Sequence, residues 1–158
     1  IEVKSKLSEA IQSSSDKANL LTTQLTSTMK GNFFAFITFF ISVFMLRLIT
    51  NDKFTGVVNT EVLFLSYGIL FISSILMHVS LKEFDAGRKR FKISYNLLKN
   101  RYKDLLDEKN IKSILSDDET YKSDEDYLKE MRKTYKRSWL LMNLLLVFVV
   151  TILWHYSQ

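Results

Sequence analysis

Apolar and polar residues are segregated along this chain into long blocks. Three stretches hold most of the Phe, Leu, Ile and Val, namely residues 33–50, 62–81 and 139–154, and Arg47 is their only charge. Residues 82–137, in contrast, hold 16 of the 22 basic and 12 of the 17 acidic residues. A helix crosses the hydrocarbon core of a bilayer with about 20 mostly apolar residues, and about 17 is the lower limit. The pattern therefore predicts three transmembrane helices, of which the third is slightly short.

The alternative is a water-soluble bundle with unusually apolar core helices. Such helices need a polar face, and none of the three stretches shows one at a 3.6-residue period. Arg47 lies near the end of its stretch, from where a long side chain can reach the interface. Trp139 and Trp154 bracket the third stretch, at the depth where indole rings favour the headgroups. These features favour the membrane interpretation.

The distribution of Lys and Arg predicts the orientation in the membrane. The loop 51–61 carries Lys53 alone, whereas residues 82–137 are basic at both ends. Because cytoplasmic loops carry the excess of Lys and Arg, we expect residues 82–137 and the amino terminus in the cytoplasm. The loop 51–61 and the carboxyl terminus then lie outside. The predicted location is the cell inner (plasma) membrane, as a multi-pass protein.

Seven basic residues lie where the chain is expected to leave and re-enter the membrane. They are Arg88, Lys89, Arg90, Lys92, Lys133, Lys136 and Arg137. Basic residues beside an inner-leaflet exit ordinarily meet anionic headgroups, at about 1 kcal/mol each. Nucleic acid or a nucleotide is the alternative partner of such a cluster. The formal net charge of +5 is explained by topology, so we predict anionic lipid as the partner and expect no nucleic acid.

Apolar residues between the second and third spans recur at coiled-coil spacing. This seam contains Phe84, Phe91, Tyr95, Leu98, Tyr102 and Leu105 on one helix and Leu128, Met131 and Tyr135 on the next. Arg88 occupies the position that interrupts it. A 3.5-residue period requires a facing helix or a partner. Two capping-box patterns, Ser116–Glu119 and Ser123–Asp126, lie between the two helices. We predict a turn through 116–123 and a helix from Asp124 into the third span.

Amphipathic spacing also occurs in the amino-terminal segment, at Leu7, Ile11, Ala18, Leu21 and Leu25. It predicts a further helix that can join the same bundle. The fold class is thus an all-α membrane protein with three transmembrane helices and a cytoplasmic coiled-coil-like helical hairpin between the second and third. The predicted divisions are an amphipathic cytoplasmic helix at 1–32, a transmembrane hairpin at 33–81, a cytoplasmic helical hairpin at 82–137 and a third transmembrane helix at 138–158. Because the first residue is Ile rather than Met, we expect a piece of a longer product.

Motifs for catalysis, metals and cofactors are lacking in the sequence. There is no Cys, and no Gly-rich phosphate loop, H-E-x-x-H or nucleophile elbow occurs. The two histidines, His78 and His155, fall at span ends on opposite predicted sides. The acidic cluster at residues 117–126 lacks the glycine and spacing of a calcium loop. We therefore expect no enzyme, no catalytic residues, no metal and no cofactor.

Asn143 is the one strongly polar side chain deep in a predicted span. An unpaired amide in hydrocarbon is costly, so it should make an intramembrane polar contact with another helix. The spans are otherwise too sparsely polar for an open channel within one subunit. A pore would have to be assembled from several copies, and we expect a homo-oligomer.

Two predicted spans are followed by a basic exit and the helix "RFKISYNLLKNRYKDLL", and then by an acidic turn and "YLKEMRKTYKR". This order of elements resembles that of the bacterial SLATT-type membrane proteins. The similarity covers roughly residues 15–137, and the span 139–154 is an addition to the usual two-span plan of that family. The resemblance implies a small helical effector that forms pores or disrupts membranes beside nucleotide-signalling and other antiphage modules.

Two functions are consistent with these patterns, and a third is weaker. The first is an oligomeric bacterial inner-membrane effector that permeabilises the bilayer when a cytoplasmic sensor triggers it. The second is a membrane-anchored assembly or scaffold module that docks a cytoplasmic protein through its helices. A transporter or channel in its own right is disfavoured by the short chain and apolar spans.

Overall fold

Three long helices contain most of the residues that the structure describes. The computed structural model describes residues 2–49, 58–103, 107, 111, 113, 115 and 118–157. Helix α1 is Glu2–Ile49, α2 is Thr60–Lys103 and α3 is Glu119–Ser157. No β-strand occurs within these ranges. The all-α prediction is confirmed, and each of these three helices is long and apolar enough to cross a membrane.

The length of the helices follows from the absence of residues that end them. The chain has no Pro and only four Gly, and these are the residues that most disfavour a helix interior. The polar start of the chain and the first apolar stretch consequently form one helix, α1. Some of its hydroxyl groups bond to its own backbone, as Thr22 Oγ1 and Thr23 Oγ1 do by donating to Asn19 O at 2.8 and 3.0 Å.

Asn59 caps the start of α2. Its Oδ1 accepts a hydrogen bond from the Val62 backbone N–H at 2.9 Å, and its Nδ2 donates to Glu61 Oε2 at 3.3 Å. An Asn at this position satisfies a backbone donor that the first turn of a helix leaves unpaired. The acidic Glu61 also lies in the first turn, where a negative charge is favourable.

Helix α3 begins five residues earlier than the sequence predicted. Its first residue is Glu119 rather than Asp124, so Ser123 lies inside the helix. The preceding residue, Asp118, has a positive φ of 64°, a conformation that Asp tolerates better than most residues. The chain therefore turns at Asp118 and enters α3 directly. Ser116, which begins the first predicted capping box, lies outside the described residues.

The chain divides into two compact units. We call Ile1–Leu25 with Leu81–Thr134 the polar unit, and Thr26–Ser80 with Tyr135–Gln158 the apolar unit. Each of α1, α2 and α3 contributes to both. The four divisions predicted from the sequence stay a prediction.

The polar unit has its own core. Its buried apolar side chains are Leu7, Ala18, Leu25, Phe84, Phe91, Tyr95, Ile111, Leu115 and Leu128. Leu7, Ala18 and Leu25 belong to the spacing predicted for the amino-terminal helix, and Ile11 packs against Tyr95 and its neighbours. A Cβ built on Gly87 of α2 would overlap Leu21 Cδ2 of α1. This close approach places α1 against α2.

The apolar unit has a small core and a strongly apolar exterior. Its core cluster contains Phe36, Val58, Leu70 and Val150. Large side chains point outward, and Phe64, Phe71 and Phe148 are 70, 67 and 66% exposed. Soluble monomers rarely expose large contiguous apolar patches. This exterior is consistent with a multi-pass membrane protein.

Trp154 packs against that core cluster. Its indole Nε1 is buried and lacks a hydrogen-bond partner among the described residues. The other predicted interfacial indole, Trp139, donates to Ser73 Oγ at 3.5 Å. The side chain of Arg47 lies outside the described residues.

Candidate functional site: the ion-paired seam and its basic cleft

Helices α2 and α3 meet along the seam in the polar unit. Phe84, Phe91, Tyr95 and Leu128 are buried, whereas Leu98, Tyr102 and Met131 are half-buried. Tyr135 falls in the apolar unit, where its hydroxyl accepts a hydrogen bond from Thr26 Oγ1. Leu105 lies outside the described residues. The buried members are thus occupied by packing within this chain and are not free to meet a partner.

Tyr121 completes the aromatic part of the seam. Its ring stacks on Tyr95, with centroids 4.1 Å apart and 14° between the planes, and on Phe91 at 5.6 Å and 18°. Sequence reasoning missed Tyr121, because the helix start was placed after it. The signal was present, since Tyr121 lies one heptad before Leu128.

Asp118 accepts two side-chain hydrogen bonds at the turn before α3. The Tyr95 hydroxyl donates to Oδ1 at 2.7 Å, and Lys99 Nζ donates to Oδ2. Burial opposes ionisation of Asp118, but the hydrogen bonds from Lys99 and Tyr95 outweigh it and hold the pKa of this carboxyl below its usual value. Burial and the bond to Asp118 raise the pKa of Tyr95. The left-handed residue is thereby tied to α2.

Arg88, which interrupts the apolar seam, forms an ion pair with Glu125. Arg88 Nε lies 3.2 and 3.1 Å from the two carboxylate oxygens, and Nη2 also donates to Oε1. The side chains of Arg88 and Glu125 are 27 and 14% exposed. The hydrogen bonds from Arg88 lower the pKa of Glu125, and those to Glu125 raise the pKa of Arg88. A polar pair therefore fills the gap that the heptad pattern leaves.

Two further contacts complete the polar network. Arg132 of α3 binds Asp85 of α2 through both Nε and Nη2, at 2.6 and 2.7 Å. Ser15 of α1 donates a hydrogen bond to Asp124 of α3. Bidentate Arg–carboxylate pairs combine charge with a fixed geometry. The three helices of the polar unit are thus joined by directional contacts as well as by apolar packing.

An open cleft of about 270 Å³ lies beside the Arg88–Glu125 pair. Its lining residues are Asp85, Arg88, Lys89, Lys92 and Glu125. Of the seven basic residues predicted to face lipid, the structure brings Arg88, Lys89 and Lys92 together here. Lys89 and Lys92 are exposed, as are the other four, which do not line this cleft. Arg88 differs from the other six basic residues because its guanidinium is paired with Glu125.

Asn143 contacts its own helix. Its Nδ2 donates to the backbone carbonyl of Trp139 at 2.9 Å. The sequence predicted a partner on another helix, but a side-chain amide can reach the carbonyl one turn back and satisfy an N–H there. No contact with another helix is needed for this donor.

The remaining candidate positions carry little organised chemistry. His78 and His155 are both exposed. In the acidic cluster, Asp126 binds Lys129 at 2.9 Å, and Asp117 lies outside the described residues. The described part of the chain holds no group of three or more His, Cys, Asp or Glu side chains that could hold a metal ion.

Comparison with known proteins finds no matching protein-family model, curated protein or solved structure.

Proposed function

We propose that this chain is a non-enzymatic, multi-pass inner-membrane effector that assembles from several copies and permeabilises the bilayer. The observation that carries the proposal is the continuity of α1, α2 and α3, each of which contributes residues to both units. A change in packing in the polar unit would therefore act on the same helices that form the spans. Coupling needs a physical element of this kind that both regions share.

The requirement for several copies follows from the polar groups of the spans. In the apolar unit Ser66, Ser74 and Asn143 bond to carbonyls of their own helices at 2.7, 2.9 and 2.9 Å. Such groups do not line a polar conduit within one copy. We infer a homo-oligomer, with the polar unit in the cytoplasm, where the resemblance to SLATT-type proteins supports a trigger by a sensor in antiphage defence.

Induced expression in a bacterial host tests this proposal. We expect a membrane-potential dye to report depolarisation and viable counts to fall, and the purified chain to release a small dye from lipid vesicles. The control is Val150→Asp, which places a charge in the buried core of the apolar unit and should abolish all three effects. If the induced native chain leaves the membrane potential and the viable counts unchanged, and the purified chain releases no dye from the vesicles, the proposal is wrong.

A second function, a membrane-anchored scaffold, is favoured by one separate observation. Ile93 and Leu97 are one turn apart on α2 and are 49 and 53% exposed, on the side opposite the buried Phe91 and Tyr95. An exposed apolar pair of this kind can bind an amphipathic helix. The scaffold would then dock a cytoplasmic protein at this outer face rather than at the seam.

Ile93→Asp with Leu97→Asp separates the two functions. These residues lie outside the core, so the polar unit should still fold. Loss of a stoichiometric partner in affinity purification, with depolarisation retained, would favour the scaffold as a separate role. Tyr95→Asp is unsuitable for this purpose, because Tyr95 is buried and bound to Asp118.

A further inference from the structure

We propose that the cleft beside the Arg88–Glu125 pair is a binding site for one phosphate group. The proposal deepens the proposed function, because it assigns a ligand to the polar unit. It concerns Lys89 and Lys92 specifically, rather than the basic surface as a whole.

Two carboxylates and three basic side chains line the cleft. Both carboxylates are already neutralised, since Asp85 binds Arg132 and Glu125 binds Arg88 through more than one hydrogen bond each. Each of these two carboxylates therefore has its own guanidinium. The pairs fix the walls of the cleft and leave little negative charge to repel an anion.

Lys89 and Lys92 supply the remaining positive charge of the cleft, and Lys92 acts on Glu125 only at a distance, where it helps to lower the pKa of that carboxyl. Neither has a hydrogen-bond or ion-pair partner within the described ranges. They lie three residues apart on α2, so their side chains can converge on one ligand. Two ammonium groups match the charge of a phosphomonoester, which is about −1.5 to −2 at neutral pH.

Because the cleft is open, its volume limits only the part of a ligand that it encloses. At about 270 Å³ it is slightly smaller than the usual range for small-molecule sites, about 300–1,000 Å³. It suits a phosphate with a small attached group rather than a whole folded partner. A helix rises about 1.5 Å per residue, so Lys89 lies about 12 Å beyond the predicted span end at Leu81. The headgroup layer is only about 5–8 Å thick on each side, so a lipid phosphate is reached by lysine side chains that extend back toward the bilayer, whereas a small soluble phosphate reaches the cleft directly.

The test uses the full chain in maltoside micelles, which contain no phosphorus. Inorganic phosphate is titrated with ³¹P NMR as the readout, and phosphatidic acid is counted by native mass spectrometry. We expect saturation at one phosphate per chain for at least one probe. Lys89→Gln with Lys92→Gln should weaken that binding about thirty-fold, at about 1 kcal/mol per lysine. Lys89→Arg with Lys92→Arg should retain most of it.

The matched control is Lys17→Gln with Lys103→Gln, which removes the same charge from two exposed positions of the polar unit outside the cleft. We expect it to change binding less than about three-fold.

Saturable binding of phosphatidic acid alone, of inorganic phosphate alone or of both supports the site and identifies the source. Unsaturable binding, or an equal loss in both glutamine pairs, would overturn it. Dye release by the same variants separates the proposals: release without site binding leaves the effector role intact, and binding without release leaves the site intact.

Discussion

Arg88 is the residue at which the heptad pattern of the polar unit is interrupted. A guanidinium at a seam position is tolerated because Glu125 on α3 supplies a complementary carboxylate that is only 14% exposed. We expect Arg88→Gln to lower the free energy of opening of the polar unit by about 1–3 kcal/mol, because it leaves Glu125 partly buried without its charged partner. Amide hydrogen exchange of α2 and α3 peptides measures this quantity.

The apolar replacement of both residues is the informative control for that pair. Arg88→Met with Glu125→Leu continues the seam and should be close to neutral, since a well-packed apolar pair can replace an ion pair. Lys129→Gln removes an exposed neighbour of Glu125 and should have a smaller effect than Arg88→Gln. A double variant as unstable as Arg88→Gln would show that the pair contributes more than the packing it replaces.

The pKa shifts of Asp118 and Glu125 predict acid sensitivity. Both carboxyls have a lowered pKa in the folded protein, so their contribution to stability is fully present above the unfolded values of about 3.9 and 4.3. It is lost as the pH falls through the lower folded values. We expect exchange protection around Tyr95 and Tyr121 to be constant from about pH 7 to 5 and to decline below about pH 4.

A control variant assigns that decline. Asp118→Asn removes one titrating group together with its ion pair to Lys99, so protection should be weaker at neutral pH and should change less between pH 5 and 3. If the native chain keeps full protection at pH 3, these two ionised carboxylates do not stabilise the seam.

At the scale of the helices, the close approach of α1 and α2 depends on Gly87. Gly→Ala in a helix interior usually stabilises by about 0.5–1 kcal/mol. A Cβ at Gly31 meets no atom within 4 Å, whereas one at Gly87 would overlap Leu21 Cδ2. We expect Gly31→Ala to stabilise the protein and Gly87→Ala to stabilise it less or destabilise it, in detergent melts followed by circular dichroism. Gly87→Leu should be clearly destabilising.

A second-site change identifies the cause. Leu21→Ala leaves room for the new methyl group, so Gly87→Ala should regain the helix-propensity benefit in that background. Equal effects of Gly87→Ala and Gly31→Ala in the native background would show that Leu21 moves away without cost.

The element boundaries show which features sequence patterns can predict. Helix content and the three apolar stretches depend on local residue types, and those predictions are confirmed. The predicted start of α3 was wrong, because the observed start depends on a left-handed conformation of Asp118. Tyr95 and Lys99 hold Asp118 in that conformation from another helix. The ion pairs of Arg88 and Arg132 could not be predicted either, since they join residues 37 and 47 positions apart.

At the scale of the whole molecule, the chain combines two environments on the same helices. The apolar unit exposes Phe and Leu side chains that water solvates poorly, whereas the polar unit is joined by ion pairs that lipid would not tolerate unpaired. These opposite requirements limit where a bilayer can lie along α1, α2 and α3. In the proposed function, the excess of Lys and Arg in the polar unit assigns that unit to the cytoplasmic side.

The absence of Cys makes the sidedness directly measurable with single introduced cysteines. Thr60 at the start of α2, Asn96 in the polar unit and Tyr156 near the carboxyl terminus are all exposed. In bacterial spheroplasts we expect a membrane-impermeant maleimide to label Thr60→Cys and Tyr156→Cys, and to label Asn96→Cys only after the membrane is opened. This follows because an odd number of spans separates Asn96 from each of the other two positions.

Labelling of Asn96→Cys alone in intact spheroplasts would mean that the topology is the reverse of the predicted one. The polar unit would then lie outside the cell and could not receive a cytoplasmic trigger. Equal labelling at all three positions, in spheroplasts whose own cytoplasmic proteins stay unlabelled, would mean that the second and third apolar stretches do not cross the bilayer.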